Sequence, residues 1–314
     1  MLGATWVIGH RDADGFMSGY LAHKKLSELG VRDIKMHSIQ YGENLPKINY
    51  DFDEVYMLDF SLPDQEMREL ADKLGDRLIW IDHHKTSLDT EKKMELSTVR
   101  GVRISSDNEK VAACELCWEY FWPGRKVPGC VTLVGDWDTF RWVDMLDGSN
   151  GKRFARFFAQ FIDGLGLDPS LKEARDLMEG SIEEIPSLEH VGVRIGKMLC
   201  EKQDALHAEI MENCSFTTVM TVPEGDQQLT ALVVNHRGNS LMFQSKVQPR
   251  HEILVSYRMR GRDWVEASLY GASDHVHCGE IARSISNGKG GGHRGAAGFT
   301  MPMSEFYVRM GMDR

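Results

Sequence analysis

The sequence predicts an α/β protein in which an N-terminal wound, mostly parallel sheet is joined by a helical linker to a smaller α+β domain. Three observations predict it. Apolar strand-like runs alternate with helix-period stretches over residues 5–84, the pattern of parallel strands with crossover helices. Three of those runs end in acidic or imidazole side chains. From Pro186 the pattern changes to one long helical periodicity followed by a cluster of strand-like runs. The boundaries that follow are residues 1–187, 188–215 and 216–314, and a chain of 314 residues is long enough for a core in each domain.

The elements follow in order. "TWVIG" (5–9) is a first strand, and "GFMSGYLAHKKLSELG" (15–30) a helix closed by Gly30. "DIKMHSI" (33–39) and "EVYMLDFS" (54–61) are strands, and "PDQEMRELADKLG" (63–75) is a helix that Pro63 opens and Gly75 ends. "RLIWIDHH" (77–84) repeats the pattern of an apolar strand ending in charge, and "AACELCWEY" (112–120) is an amphipathic helix. Leu188, Val191, Ile195, Met198, Leu199, Leu206 and Ile210 recur at helical spacing through the linker. "TALVVNHRG", "HEILVSYRM" and "WVEASLYG" are strands of the last domain, and "CGEIARSIS" is its helix.

Composition narrows the function. Hydrophobic residues make up 42% and charged residues 27%, ordinary values for a globular protein, and no apolar run reaches the roughly 20 residues that span a bilayer. The first nine residues are too short for a signal peptide, so a cytoplasmic protein with no membrane partner is expected. The six cysteines are scattered and read as reduced thiols. Cys114 and Cys117 form a CxxC without a second pair, a poor match to a zinc site. A net charge of −10 argues against a broad basic surface for nucleic acid, though not against a nucleotide held in a local pocket.

The chemistry gathers at strand ends, where ligands of wound sheets bind. His10, Asp12 and Asp14 crowd five positions; Asp59 follows the next apolar run; Asp82, His83 and His84 follow another; Asp136 lies in "GDWD". So many carboxylates and imidazoles repel or desolvate one another unless a cation holds them. Oxygen and imidazole ligands without thiolates suit Mn²⁺, Mg²⁺ or related ions. Two ions about 3.5–4 Å apart, sharing a carboxylate, would clamp a phosphoryl group and generate a nucleophile at neutral pH. Singly, each motif has a plainer reading, for an Asp at a strand end is most often a helix N-cap. Four such clusters after successive strand-like runs are hard to obtain by chance.

"HRDADG", "LDFS", "IDHH" and "GDWD" resemble the four metal-binding motifs of the DHH phosphoesterases, and "GKGGGHRGAAGF" (288–299) resembles the glycine-rich signature of the associated DHHA1 domain. The resemblance implies that His10 and Asp12 hold one ion, that Asp14, His83 and Asp136 hold the other, and that Asp59 bridges both. It implies a catalytic pair in which Asp82 orients a neighbour and His84 faces the substrate phosphate. Two Mn²⁺ ions per chain are expected, with Mg²⁺ or Co²⁺ as substitutes.

In the last domain, Gly290, Gly291 and Gly292 would let backbone N–H groups approach an anion, and His293 and Arg294 would add a donor and a fixed charge. The plainer alternative is a glycine-rich turn before a core strand. Arg258, Arg260 and Arg262 fall on one face if their strand persists, with Arg258 a candidate substrate contact. Tyr270 stands where many relatives carry an arginine, and Asp138 adds an acid to "GDWD" as a supporting group or a cap. A manganese-dependent phosphodiesterase is expected, acting on short single-stranded oligonucleotides or nucleotide-derived phosphoesters to release mononucleotides, and forming a homodimer. A phosphoanhydride hydrolase and a catalytically silent nucleotide-binding regulator are the alternatives.

Overall fold

Four short runs of β-branched and large apolar residues build the first sheet. They are β1 (Thr5–His10), β2 (Ile34–Ile39), β3 (Glu54–Leu58) and β4 (Leu78–Ile81), ordered β2-β1-β3-β4 and parallel throughout. The computed structural model describes residues 3–40, 43, 51–104, 110–146, 149–184, 186–224, 227–273, 275–288, 290–292 and 294–312. The chain divides into two compact units, residues 1–200 and 201–314.

The strands of the first unit are apolar on both faces because helices cover both. Trp6, Ile8, Met57 and Trp80 pack to one side with Met67, Leu70 and Leu74 of α2 (Asp64–Leu74). Val7, Tyr56, Ile79 and Ile81 face the other side, toward α1 (Ala13–Glu28), α4 (Ala113–Phe121), α5 (Gly129–Asp138), α6 (Asn150–Leu165) and α7 (Lys172–Ile182). A further helix, α3 (Lys85–Lys93), follows β4. Strand β1 lies between β2 and β3, so the chain order reverses direction across the sheet there. The carboxyl ends of β1 and β3 therefore flank a topological switch point, the place where wound sheets open a ligand crevice.

The link from β1 into α1 is tight. The Asp12 side chain caps α1 by accepting from the Gly15 N–H at 2.9 Å, and a Cβ on Gly15 would come within 2.1 Å of the His10 carbonyl oxygen. Only glycine lets the first turn of α1 lie this close to the end of β1. Gly30 does follow α1, at φ +81°, and Pro63 and Gly75 flank α2 as its sequence predicts. Cys114 and Cys117 are buried on α4, where burial raises both thiols, so the CxxC is core packing.

The long helix α8 (Val191–Cys214) begins in the first unit and ends in the second. The second unit holds a mixed sheet of β5 (Ser215–Val222), β6 (Gln227–Val234), β7 (Ile253–Arg260), β8 (Trp264–Gly271), β9 (Gly291–Gly292) and β10 (Ala296–Pro302). Its order is β5-β6-β7-β8-β10-β9, with only β6 and β7 parallel. Helices α9 (Cys278–Ile285) and α10 (Met303–Arg309) close its core around Phe299, Phe306 and Tyr257. Two sequence expectations change here. Strand β7 stops at Arg260, so Arg262 lies in the turn and the three arginines do not form one strand face. Arg258 pairs with Glu266 opposite it, at 2.7 and 3.0 Å, which occupies its guanidinium. Among the described residues, no helix is long and apolar enough to cross a membrane.

Gly15→Ala should destabilise the first unit by about 1–3 kcal/mol through overpacking, measured by chemical denaturation. An unchanged unfolding midpoint would show that β1 and α1 are not locked at this point.

Candidate metal centre

Asp59 occupies the switch point. It follows β3 with a left-handed backbone, φ +54°, a conformation that strains a non-glycine residue by roughly 1–3 kcal/mol. Its N–H is held by the Ile81 carbonyl at 2.9 Å. The turn aims the carboxylate back across the strand ends, where it is 1% exposed. Its Oδ2 faces His10 Nδ1 at 3.8 Å and its Oδ1 faces His83 Nε2 at 3.3 Å. The two oxygens thus point to two different groups of side chains.

One group is His10, Asp12 and Asp59; the other is Asp14, His83 and Asp138. Asp59, His83 and His84 form a third set that joins them, and within each set the candidate ligand atoms lie within 4.8 Å of one another. In the first group His10 Nδ1 stands 2.6 Å from Asp12 Oδ2, and Gln40 Oε1 fixes the opposite ring nitrogen at 2.5 Å. In the second, Asp14 accepts from the Ala113 and Cys114 N–H groups at 2.8 and 2.7 Å. Those amides open α4, so a helix N-terminus stabilises the Asp14 charge. His83 Nε2 lies 3.5 Å from Asp14 Oδ2 and 3.3 Å from Asp138 Oδ2.

The cluster is short of positive charge. Both carboxylate oxygens of Asp59 and both ring nitrogens of His83 are buried without a hydrogen-bond partner. Burial, and then the charges of Asp14, Asp12, Asp138 and Asp82, push the Asp59 carboxyl well above its usual range. Burial and the charges of Asp14 and Asp12 do the same to Asp138. Burial lowers His83, against the pull of Asp14. Orphaned buried acceptors beside neutral imidazole are the donor set that a hard or borderline divalent cation fits.

Asp82 and His84 stand beside this cage. The fully buried Asp82 accepts from the His83 and His84 N–H groups at 2.7 and 3.1 Å, from His84 Nδ1 at 2.7 Å and from the Ser87 hydroxyl. Burial opposes charge on His84, yet its hydrogen bond and ion pair with Asp82 hold it at about 9. The His84 side chain is 34% exposed, so a ring fixed from behind still meets solvent.

Asp136 lies outside the three ligand groups, contrary to the sequence expectation. Its Oδ1 accepts from Arg141 Nε at 2.7 Å, and Arg141 also grips Glu115 through two nitrogens at 2.8 and 2.9 Å. Residues two apart on a helix point about 200° apart, so α5 can send only one of its two acids into the cluster, and it sends Asp138. Arg141 gave no sequence signal for this choice, since it lies three residues after Asp138 and five after Asp136. Gln40, which steadies His10, carried no signal either.

In the second unit, Gly290 has a structural reason to be glycine. A Cβ there would approach the Ala282 carbonyl, Phe299 Cβ and the Ser286 hydroxyl within 2.7–2.8 Å. Gly291 and Gly292 form the edge strand β9. Arg294 is exposed, and His293 lies outside the described residues. The Tyr270 hydroxyl donates to the Gly238 carbonyl at 2.8 Å, so it serves its own unit.

Residues 4–131 match the model of the DHH family, N-terminal domain. The fold is shared with the DHH domain of a member of the s1p family of ribosomal proteins (14% identity, 97% of this chain and 83% of that one, TM-score 0.61). It is shared with RecJ of Thermus thermophilus in complex with Mn²⁺ (16%, 98% and 51%, 0.55), of which this chain spans about half the length. The pGpG-specific phosphodiesterase PggH of Vibrio cholerae is a third such structure (16%, 97% and 95%, 0.54). No curated protein matches the chain.

The raised Asp59 carboxyl yields a pH prediction for metal-free protein. A carboxyl whose folded-state pKa exceeds its unfolded value of about 3.9 contributes stability below that value and loses it as pH rises through the folded pKa. Asp59→Asn removes that loss. The Tm of metal-free Asp59→Asn should therefore exceed that of wild type, by a margin that grows from about pH 4 upward. A margin that shrinks with pH would contradict the charge crowding.

Proposed function

We propose, from the premise that residues 4–131 give this chain a DHH-family N-terminal domain, that it is a manganese-dependent phosphodiesterase cleaving short oligonucleotides or nucleotide-derived phosphoesters to mononucleotides. The observation that carries the proposal is the Asp59 carboxylate, buried without a hydrogen-bond partner and facing one ligand group with each oxygen. His10, Asp12 and Asp59 would hold one ion, and Asp14, His83, Asp138 and Asp59 the second. We take the metal and the substrate class from proteins of the same fold, since RecJ was crystallised with Mn²⁺ and PggH is named for pGpG.

Divalent cations bound there would polarise a phosphoryl group and acidify water. The remaining work falls to the chain. Asp14 is kept in place by the amides of α4, and His10 by Gln40, which hold ligand atoms at fixed distances. Asp82 locks the His84 ring, which would offer a hydrogen bond to a phosphate oxygen of the substrate. In the second unit, Gly291, Gly292, His293 and Arg294 are the proposed anion-binding residues, through backbone N–H groups and a fixed charge. Gly290 and Arg258 are left out of that set, because packing and Glu266 already account for them.

With Mn²⁺, the purified protein should hydrolyse a dinucleotide such as pApA faster than polyphosphate, and a chelator should abolish the activity. Asp138→Asn should cost more than the roughly 10–100-fold typical of a supporting residue, and Asp136→Asn should stay within that range while lowering Tm. Faster loss of polyphosphate would replace the proposal with a phosphoanhydride hydrolase. Full activity in a chelator, or no hydrolysis at all, would reject it.

A further inference from the structure

Two residues past Asp138 the chain puts an aromatic ring where a glycine or asparagine is the usual choice. Phe140 follows the last turn of α5 with φ +57° and ψ 20°, the left-handed conformation that disfavours a residue with a Cβ. Its N–H donates to the Trp137 carbonyl at 3.3 Å and its carbonyl accepts from the Val143 N–H at 3.1 Å. Glycine would make the same backbone bonds, so helix termination explains the conformation and not the ring. Core packing does not explain the ring either, for Phe140 is 66% exposed.

Two indoles lie beside the ring. Trp142 lies 6.4 Å from it, centroid to centroid, and Trp137 stacks on Trp142 at 5.3 Å with 19° between the planes. On one side Asp138 belongs to the candidate metal cluster. On the other, Arg141 is tied to Asp136, Glu115 and the Lys110 carbonyl. Two residues span at most about 7 Å of chain, so Phe140 stands within one nucleotide's reach of Asp138.

We propose that Phe140, backed by Trp142 and Trp137, is a ledge on which a nucleobase of the substrate stacks while its phosphate occupies the metal centre. The inference rests on the phosphodiesterase reading and names a specificity determinant for it. An exposed aromatic face suits this occupant because every base has a π-face, and stacking adds affinity beside a cluster whose own charge is negative. Strain held in an exposed aromatic residue next to a reaction centre fits a functional placement.

The test uses the full chain with Mn²⁺ and two probes that differ by the base alone, AMP and ribose 5-phosphate, read by tryptophan fluorescence. Wild type should bind AMP more tightly than ribose 5-phosphate. Phe140→Gly should weaken AMP binding about 5- to 150-fold, the range of one lost base stack, and leave ribose 5-phosphate within about twofold. Phe140→Trp should retain tight AMP binding. Because glycine accepts this φ without strain, the Tm of Phe140→Gly should equal or exceed that of wild type, which separates lost stacking from lost folding. Equal loss for both probes, or no loss for either, would overturn the ledge. So would a change of oligomeric state in Phe140→Gly with AMP affinity unchanged, which would make the ring a subunit contact. Cleavage of pApA with kcat/KM unaltered in Phe140→Gly would reject the ledge and spare the phosphodiesterase. Absence of any phosphodiester cleavage, with Phe140-dependent AMP binding intact, would do the reverse.

Discussion

Four buried carboxylates share one corner of a protein only where cations or protons offset their charge. Asp12, Asp14, Asp59 and Asp138 converge at the carboxyl ends of β1 and β3, and the imidazoles beside them offset that charge only in part: burial lowers His83, while Asp12 raises His10 and Asp82 raises His84 against burial. Water would ordinarily dissipate such repulsion, but Asp14 and Asp59 are each 1% exposed, and charges are costly where water is excluded. Much of the first unit follows from holding this group together: the left-handed turn at Asp59, the α4 amides on Asp14, the Asp82 carboxylate behind His84 and the Gln40 side chain on His10.

The scaffold suits that task because a parallel sheet buried on both faces is rigid, and its switch point opens between β1 and β3. The strand ends carry residues from distant parts of the chain to one place, while the helices that follow them supply caps and amides. Asp12 does both, as the N-cap of α1 and as a member of the first ligand group. The capping reading of a strand-end aspartate and the ligand reading are therefore not exclusive. The geometry of the cap fixes which carboxylate oxygen is left for the cluster.

The first unit was legible where local periodicity decides structure. The strands β1, β2, β3 and β4, the helices α1 and α2 and the amphipathic α4 follow from apolar runs, Pro63, Gly30 and Gly75. Strand β5 was not legible: "SFTTVMTV" is half-exposed and rich in threonine, so its pairing with β6 depends on the sheet it joins. In the site, most of the clustered residues were visible because strand ends concentrate them. The choice between Asp136 and Asp138 was not, because it depends on the rotation of α5 about its axis and on Arg141, both matters of tertiary packing. Gly290 and Arg258 show the same limit from the other side, as residue types suited to phosphate binding that close packing and a cross-strand ion pair already employ.

The account stands or falls on cations at the strand ends. Anomalous diffraction from a crystal grown with Mn²⁺ tests it most directly. Two peaks are predicted, one within ligand distance of His10 and Asp12 and the other of Asp14, His83 and Asp138, with one Asp59 oxygen on each and none on Asp136. A cluster without metal peaks, its carboxylates neutralised by protons or turned outward to solvent, would contradict it.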